Sequence, residues 1–140
     1  MINPVNHART PEAVAAYKVE PYVISADVYA LAPHIGRGGW SWYTGSAGWM
    51  YRLFVESLLG LTREKDRLRF APCIPASWPA FTVRYRYRKT VYVITVQQVV
   101  AAGERAGAAS VTLNGVAQPD NSVALAGDRD EYHVVVLCVR

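Results

Sequence analysis

Residues 34–52 form a glycine- and tryptophan-rich stretch that holds the residue types best suited to chemistry. Its glycines are at positions 36, 38, 39, 45 and 48, and its tryptophans are at positions 40, 42 and 49. Glycine lets the backbone approach a ligand closely, and tryptophan offers a sugar ring a flat apolar face with a polar handle. A helix that begins within such a stretch presents free N–H groups to an anion. Together these features predict a pocket that holds a sugar beside a phosphate.

Thr44, Gly45 and Ser46 are the candidate phosphate-binding residues. The Thr44 and Ser46 hydroxyls can donate to phosphate oxygens, Gly45 has no side chain to block the approach, and the N–H groups of a helix start point outward. The competing interpretation is a simple helix cap, because Thr or Ser before a helix usually serves as one. Arg37, in the same loop, either holds phosphate or a sugar hydroxyl through its forked donors or pairs with a carboxylate at the surface.

The three tryptophans of this stretch have different expected roles. Trp40 and Trp42 lie in the loop and are candidates for stacking on a sugar, although loop tryptophans also fill space by packing. Trp49 has the spacing of a helix core position and is predicted to be buried. Glu20, before a proline, is interpreted as a structural hydrogen-bond acceptor, and His34 as a capping or surface residue. No Cys/His spacing indicates a metal site, so none is predicted.

The glycine-rich stretch resembles glycoside hydrolase family 94, and residues 2–14, 17–23, 70–75 and 85–87 extend the resemblance on both sides. This family contains cellobiose and chitobiose phosphorylases and the phosphorylase-like domain of cyclic β-1,2-glucan synthases. Residues 2–14 and 17–23 look like the glucan-synthase branch. The resemblance covers residues 2–98, and the remainder fits only as generic β structure.

The resemblance implies an α+β fold with two parts. Residues 1–62 would be the terminal helices of an (α/α)6 glycoside phosphorylase barrel, and residues 63–140 a C-terminal antiparallel, sandwich-like β domain. Family members are far longer than this chain, which is therefore expected to be a truncated reading frame, a gene fragment or one part of a split protein. Helices cut from a barrel expose apolar faces, so an upstream chain or a second copy is expected to cover them.

The family match also implies inverting phosphorolysis of β-glucans, in which phosphate takes the place of the water used by an inverting hydrolase. Thr44 and Gly45 match the Thr-Gly pair that binds the inorganic phosphate co-substrate, and no other cofactor is implied. The family's general-acid aspartate and phosphate-binding histidine belong to motifs upstream of this chain. No catalytic residue is therefore assigned here, and the chain alone is expected to be inactive. The alternative function is a non-catalytic carbohydrate-binding or structural β module.

Composition excludes several other classes of protein. The net charge of +4 is mild, and the alternation of Arg84, Arg86 and Arg88 with tyrosines puts the two residue types on opposite faces, so no nucleic acid partner is expected. No segment reads as a membrane span or a secretory signal. The chain is thus expected to be cytoplasmic, although its parent protein is of a kind anchored at the inner membrane. Cys73 and Cys138 are expected to be reduced thiols.

Local patterns predict helices first and strands later in the chain. Thr10 before Pro11 predicts a capped helix through about residue 18, residues 22–31 predict a second helix, and the spacing of apolar residues predicts a third from position 44 or 46 to Gly60. Charged residues 63–66 are predicted to be a linker. Alternation from residue 67 onward predicts strands, Asn114-Gly115 predicts a type I′ hairpin, and residues 131–140 predict a strand buried on both faces. Residues 101–109 are predicted to be a loop.

Overall fold

A computed structural model of the chain describes residues 3–20, 23–42, 44–100 and 107–139, the side chains of 107–109 excepted. The chain divides into two compact units, which we call unit 1 (Met1–Leu53) and unit 2 (Phe54–Arg140). Residues 63–66, predicted to be a linker, form instead the end of one strand and the turn to the next. The assignment of the N-terminal part to an (α/α)6 barrel stays a prediction.

Unit 1 begins with two short helical elements. A 3-10 turn spans Pro4–His7, and helix α1 spans Pro11–Tyr17. The Thr10 hydroxyl accepts a hydrogen bond from the Ala13 N–H at 3.2 Å, which confirms the predicted cap. A bond from its own backbone N–H and one from Thr10 lower the pKa of the Glu12 carboxyl in the first turn. Lys18 follows the last residue of the helix and caps it in a left-handed conformation, with a φ of 58°.

Tyr17 is the central residue of unit 1. Its side chain is fully buried, and its ring stacks on His7 with centroids 4.4 Å apart. The Tyr17 hydroxyl donates to Ser25 Oγ at 3.0 Å, and its backbone carbonyl accepts from the Gly38 N–H at 2.8 Å. Four stretches of the chain are therefore held together by one aromatic residue.

The predicted second helix over residues 22–31 is wrong. The described part of this segment, from residue 23, has no helical turn and is instead one arm of a hairpin-like loop. The Ala26 N–H donates to the Trp40 carbonyl at 2.7 Å, the Tyr29 N–H donates to the Arg37 carbonyl at 2.8 Å, and Val28 forms a bridge with Gly38. The small residues of the segment suit a helix, but its backbone groups find partners in the glycine-rich stretch opposite.

The predicted third helix is confirmed, in two parts. Helix α2 spans Thr44–Arg52, and a π-helical turn over Leu53–Leu58 continues it. Gly60, with φ of 72°, follows it, as predicted. Met50 is the buried residue of α2, whereas Trp49 is 74% exposed. The prediction that Trp49 is a core residue is thus wrong for this structure.

The strands of unit 2 are β1 (Leu61–Glu64), β2 (Arg67–Phe70), β3 (Ala80–Tyr87), β4 (Thr90–Val99), β5 (Gly107–Leu113), β6 (Val116–Ala117), β7 (Ser122–Ala124) and β8 (Glu131–Val139). Over the described residues they form two sheets, one with the strand order β1-β2-β7 and the other with the order β3-β4-β8-β5-β6. Neighbouring strands in these sheets are antiparallel, except for β4 and β8, which are parallel. The α+β class with a sandwich-like antiparallel C-terminal unit is confirmed.

Alternating side chains from both sheets build the core of unit 2. Leu68 and Phe70 from the smaller sheet join Tyr92, Ile94 and Val136 from the larger one in a single buried cluster. Period-2 burial is what the pleat of a strand imposes. The sequence pattern that predicted strands therefore also identified the residues that hold the sheets together.

The outer faces of β3 and β8 test two further predictions. Arg84 and Arg86 are exposed while Tyr85 is half-buried, so the arginines and tyrosines of β3 do lie on opposite faces. Burial of β8 on both faces is wrong for its first half, because Glu131 and His133 are exposed. The His133 Nε2 and Glu131 Oε1 atoms lie 3.2 Å apart on this outer face. A valine at either position would expose an apolar side chain to water.

The Asn114-Gly115 hairpin is confirmed. These residues join β5 to β6 and have φ values of 47° and 81°, the positive values that a type I′ turn requires at both central positions. Of the predicted loop at 101–109, residues 101–106 lie outside the described part of the chain, and β5 begins at Gly107.

Two further observations concern chemistry and environment. Cys73 is exposed and Cys138 is buried, both as free thiols, and burial raises the pKa of the Cys138 thiol. Over the described residues, no helix has the length and apolar character needed to cross a membrane.

Gly60 is expected to tolerate no larger residue. Its φ is 72°, and a Cβ there would overlap the main chain of Ala71 and Pro72, which cannot move aside like a side chain. We expect Gly60→Ala to lower the free energy of unfolding of unit 2 by more than about 2 kcal/mol, measured by urea denaturation followed by circular dichroism.

Gly115→Ala is the matched control. Gly115 has a φ of 81°, but no atom lies within 4 Å of the added methyl group, so only backbone strain is introduced. We expect a loss of about 1 kcal/mol there. Equal losses at the two positions would contradict the close approach at Gly60.

Candidate functional site

Helix α2 begins at Thr44, so Thr44, Gly45 and Ser46 are its first three residues. The N–H groups of such positions have no acceptor within the helix. Among the described residues, no backbone carbonyl outside the helix accepts from them either. Thr44 and Gly45 are exposed and Ser46 is half-buried. Within the described part of the chain, the amides predicted to face an anion therefore have no backbone acceptor outside their own helix.

A hollow of about 380 Å³ lies along this helix and is lined by Thr44, Gly45, Gly48, Trp49 and Arg52. These residues share one face, because positions four apart on a helix lie above one another. A Cβ added at Gly45 or Gly48 would find no atom within 4 Å. The two glycines thus leave open space beside the helix start, where another residue would place a side chain.

A second hollow, of about 320 Å³ and mainly apolar, lies against another part of α2. Trp49 belongs to both hollows, and Ser46 lines the second one only. The lining residues of the second hollow are Ile24, Ser25, Ala26, Ser46, Trp49, Met50 and Leu53. The exposed Trp49 side chain therefore borders both hollows.

The remaining predicted site residues line neither of these hollows. Arg37 is exposed on the hairpin-like loop, and its carbonyl accepts from the Tyr29 N–H at 2.8 Å. Trp40 and Trp42 are 71% and 68% exposed, which leaves their rings accessible. The structure thus groups Thr44, Gly45 and Ser46 on the start of α2 and leaves the other three on the preceding loop. Their roles stay predictions.

Trp42 has the most constrained backbone of the loop. Its φ of 66° is left-handed, which costs a residue other than glycine about 1–2 kcal/mol. The Trp42 indole Nε1–H donates to the Glu20 carboxylate at 3.3 Å. Glu20 is therefore a hydrogen-bond acceptor, as its position before a proline suggested.

Arg52 is the site residue that sequence reasoning missed. It lies in the last turn of α2, where a cation is favourable near the helix C-terminus, and its Cζ is 5.9 Å from the centroid of the Trp49 ring. A signal was present in the sequence, since Thr44, Gly48 and Arg52 are spaced four apart and so share a helical face.

The lining of the first hollow indicates what it can bind. It includes Thr44 and Arg52, whose hydroxyl and guanidinium are donor groups of a kind that suits an anion, and it lies beside the start of α2. Among the described residues that line the two hollows there is no carboxylate. Binding of an anion here stays a prediction.

Comparison with known families divides the chain into two parts. Residues 1–60 match the family model described as the Glycosyl hydrolase 94 superfamily, catalytic domain, and residues 61–114 match the Glycosyl hydrolase family 65, C-terminal domain. These matches place a segment of a glycosyl hydrolase catalytic domain before a glycosyl hydrolase C-terminal domain. Residues 1–60 therefore belong to glycoside hydrolase family 94, the family that the glycine-rich stretch resembles.

Characterised relatives point to the same family. The chain is 44% identical over 74% of its length to the cyclic beta-(1,2)-glucan synthase NdvB of Rhizobium meliloti. It is 32% identical over 69% of its length to solabiose phosphorylase of Paenibacillus borealis, and 34% identical over 72% to N,N'-diacetylchitobiose phosphorylase of Vibrio furnissii. The aligned part spans only 4% of the first relative and 12% of each of the other two.

The open space at Gly48 leads to a prediction about stability. Gly48→Ala introduces a good helix former where no atom obstructs the methyl group, so we expect α2 to gain about 0.5–1 kcal/mol, measured by amide hydrogen exchange of its residues. Gly38→Ala is the contrasting variant, because its Cβ would overlap Val19 and lie 2.9 Å from the Tyr17 ring. We expect this variant to be less stable than the unchanged chain. A less protected α2 in Gly48→Ala would contradict the openness of this face.

Proposed function

We propose that unit 1 carries the phosphate-binding part of an inverting glycoside phosphorylase site that acts on β-glucans. The observation that carries the proposal is the open start of α2, where the amides of Thr44, Gly45 and Ser46 lack backbone acceptors beside a hollow lined by Thr44 and Gly45. Family membership supports the choice of phosphate and a sugar as ligands, because several of the relatives are named phosphorylases.

In the proposed reaction, a phosphate oxygen attacks the anomeric carbon from the side opposite the leaving sugar. The new bond from carbon to phosphate oxygen forms as the glycosidic bond breaks, and an aspartic acid gives its proton to the leaving oxygen. The products are α-glucose 1-phosphate and a shortened glucan. In the family that the chain resembles, the general-acid aspartate belongs to a motif upstream of these residues, so in this proposal the proton comes from that upstream segment.

Each candidate residue has a distinct part in this proposal. Thr44 donates through its hydroxyl, Gly45 permits close approach of the phosphate, and Ser46 adds a second hydroxyl. Arg37 neutralises charge from the neighbouring loop. Trp40 and Trp42 present exposed rings on which a sugar can stack. Inorganic phosphate is a co-substrate, and no other cofactor has a role.

Exposed apolar side chains of unit 1 support a partner. Leu31 is 81% exposed, Trp49 74% and Ile35 66%, and large exposed apolar surfaces mark association sites. The chain spans a small fraction of its relatives, so we propose that the upstream part of a phosphorylase domain covers this surface. A second copy of the chain takes that place when the upstream part is absent.

Phosphate binding can be measured on the isolated chain by titrating inorganic phosphate and following the backbone amide resonances by NMR. We expect shifts at Thr44, Gly45 and Ser46. Thr44→Val keeps the shape of the side chain and removes its hydroxyl, and we expect its dissociation constant to rise about fivefold to tenfold.

Thr44→Ser is the matched control, because it retains the hydroxyl and should bind phosphate like the unchanged chain. The proposal fails if the amides of residues 44–46 do not respond to phosphate, or if Thr44→Val binds as well as Thr44→Ser.

The isolated chain is expected to be catalytically inactive because it lacks the general acid. Incubation with β-1,2-glucan and phosphate should release no glucose 1-phosphate above the level of a heat-denatured sample. Detectable and saturable release would overturn the assignment of the acid to an upstream segment.

The alternative function, a carbohydrate-binding or structural β module, is favoured by one observation: unit 2 has its own buried core built from both sheets. Titration with β-1,2-glucan in the presence and absence of phosphate separates the two functions. Glucan binding that needs phosphate and is lost in Thr44→Val supports the phosphorylase site, whereas binding independent of both supports the module.

A further inference from the structure

One side-chain contact in unit 1 joins distant parts of the sequence. The indole Nε1–H of Trp42 donates to Glu20 Oε1 at 3.3 Å, across a sequence separation of 22 residues. Glu20 follows α1, and Trp42 is the second residue before Thr44, where α2 begins. The contact therefore links the region after the first helix to the entrance of the second.

The backbone of Trp42 needs such support. Its φ of 66° is a conformation that few residues other than glycine adopt, and a large aromatic side chain makes it less favourable still. A conformation of this kind persists where the surrounding structure holds it in place. Only one residue separates Trp42 from Thr44, so a contact that supports the Trp42 backbone lies close in sequence to the first amides of the helix.

Glu20 is well placed to provide an anchor. Its carbonyl accepts from the Val23 N–H at 3.1 Å, and Val23 is buried, so the Glu20 backbone is bonded to a buried residue of unit 1. Glu20 itself is half-buried. Trp42, in contrast, is 68% exposed. Its hydrogen bond to Glu20 joins its side chain to the region after α1.

We propose that Glu20 is a positioning residue for the phosphate site, because its carboxylate holds the Trp42 indole and thereby supports the Trp42 backbone next to the first amides of α2. This inference rests on the proposed function of that helix start. It makes an unusual demand: Glu20→Ala, which removes the acceptor together with a negative charge, must weaken the binding of an anion, whereas simple electrostatics predicts stronger binding.

The test compares four variants by the same phosphate titration followed through the amides of residues 44–46. Glu20→Ala removes the acceptor, and Trp42→Phe removes the donor while keeping an aromatic ring. We expect each to raise the dissociation constant at least about threefold, and the double variant to be no weaker than either single one. Glu20→Gln retains an oxygen acceptor and is expected to bind phosphate nearly as well as the unchanged chain.

Glu64→Ala is the matched charge control. Glu64 is an exposed carboxylate at the end of β1 in unit 2, so its removal changes the net charge equally and leaves unit 1 intact. We expect phosphate binding as strong as in the unchanged chain, or slightly stronger. The Trp42 indole N–H resonance should move in Glu20→Ala and stay in place in Glu64→Ala.

The possible outcomes separate this inference from the function on which it rests. If the unchanged chain shows no response to phosphate, the proposed function fails, and the positioning role fails with it. If the unchanged chain binds and both Glu20→Ala and Trp42→Phe bind equally well, only the positioning role is overturned. Should Glu20→Ala unfold, Trp42→Phe decides the matter, since it removes only the indole donor.

Discussion

The close approach of Gly38 to Tyr17 is the constraint on which unit 1 depends. The Gly38 N–H donates to the Tyr17 carbonyl at 2.8 Å, and any Cβ at this position would collide with Val19 and press on the Tyr17 ring. The hairpin-like loop is thereby seated on α1. Since the same loop leads into α2 at Thr44, the position of the helix start follows from a contact between a glycine and a buried tyrosine.

Helix α2 is built for access rather than for stability. Gly45 and Gly48 each cost a helix roughly 1 kcal/mol relative to alanine, and neither is required by a neighbouring atom. In unit 2 a glycine serves packing instead, because Gly60 lies where only a glycine fits and the two sheets share a continuous buried core. Glycine thus serves close packing in one unit and, in our proposal, the approach of a ligand in the other.

Local signals predicted those elements whose determinants lie within a few residues. The Thr10 cap, the Asn114-Gly115 turn and the alternating strands depend on neighbouring backbone groups, and all were predicted correctly. The failed predictions concern partners far away in sequence. Residues 22–31 were predicted to be helical because their small side chains allow it, yet their hydrogen bonds go to the glycine-rich stretch opposite. Trp49 has core spacing, but its side chain is 74% exposed.

The sequence by itself determined the family, the α+β class and the choice of Thr44, Gly45 and Ser46, because residue types and their spacing are read directly from it. Only the tertiary structure decided that these residues are the first ones of α2 beside an open hollow, that Arg52 lines that hollow, and that Glu20 holds Trp42. Such facts depend on which distant segments meet in space. Spacing along the chain carries that information only within one helix or strand, where the geometry repeats.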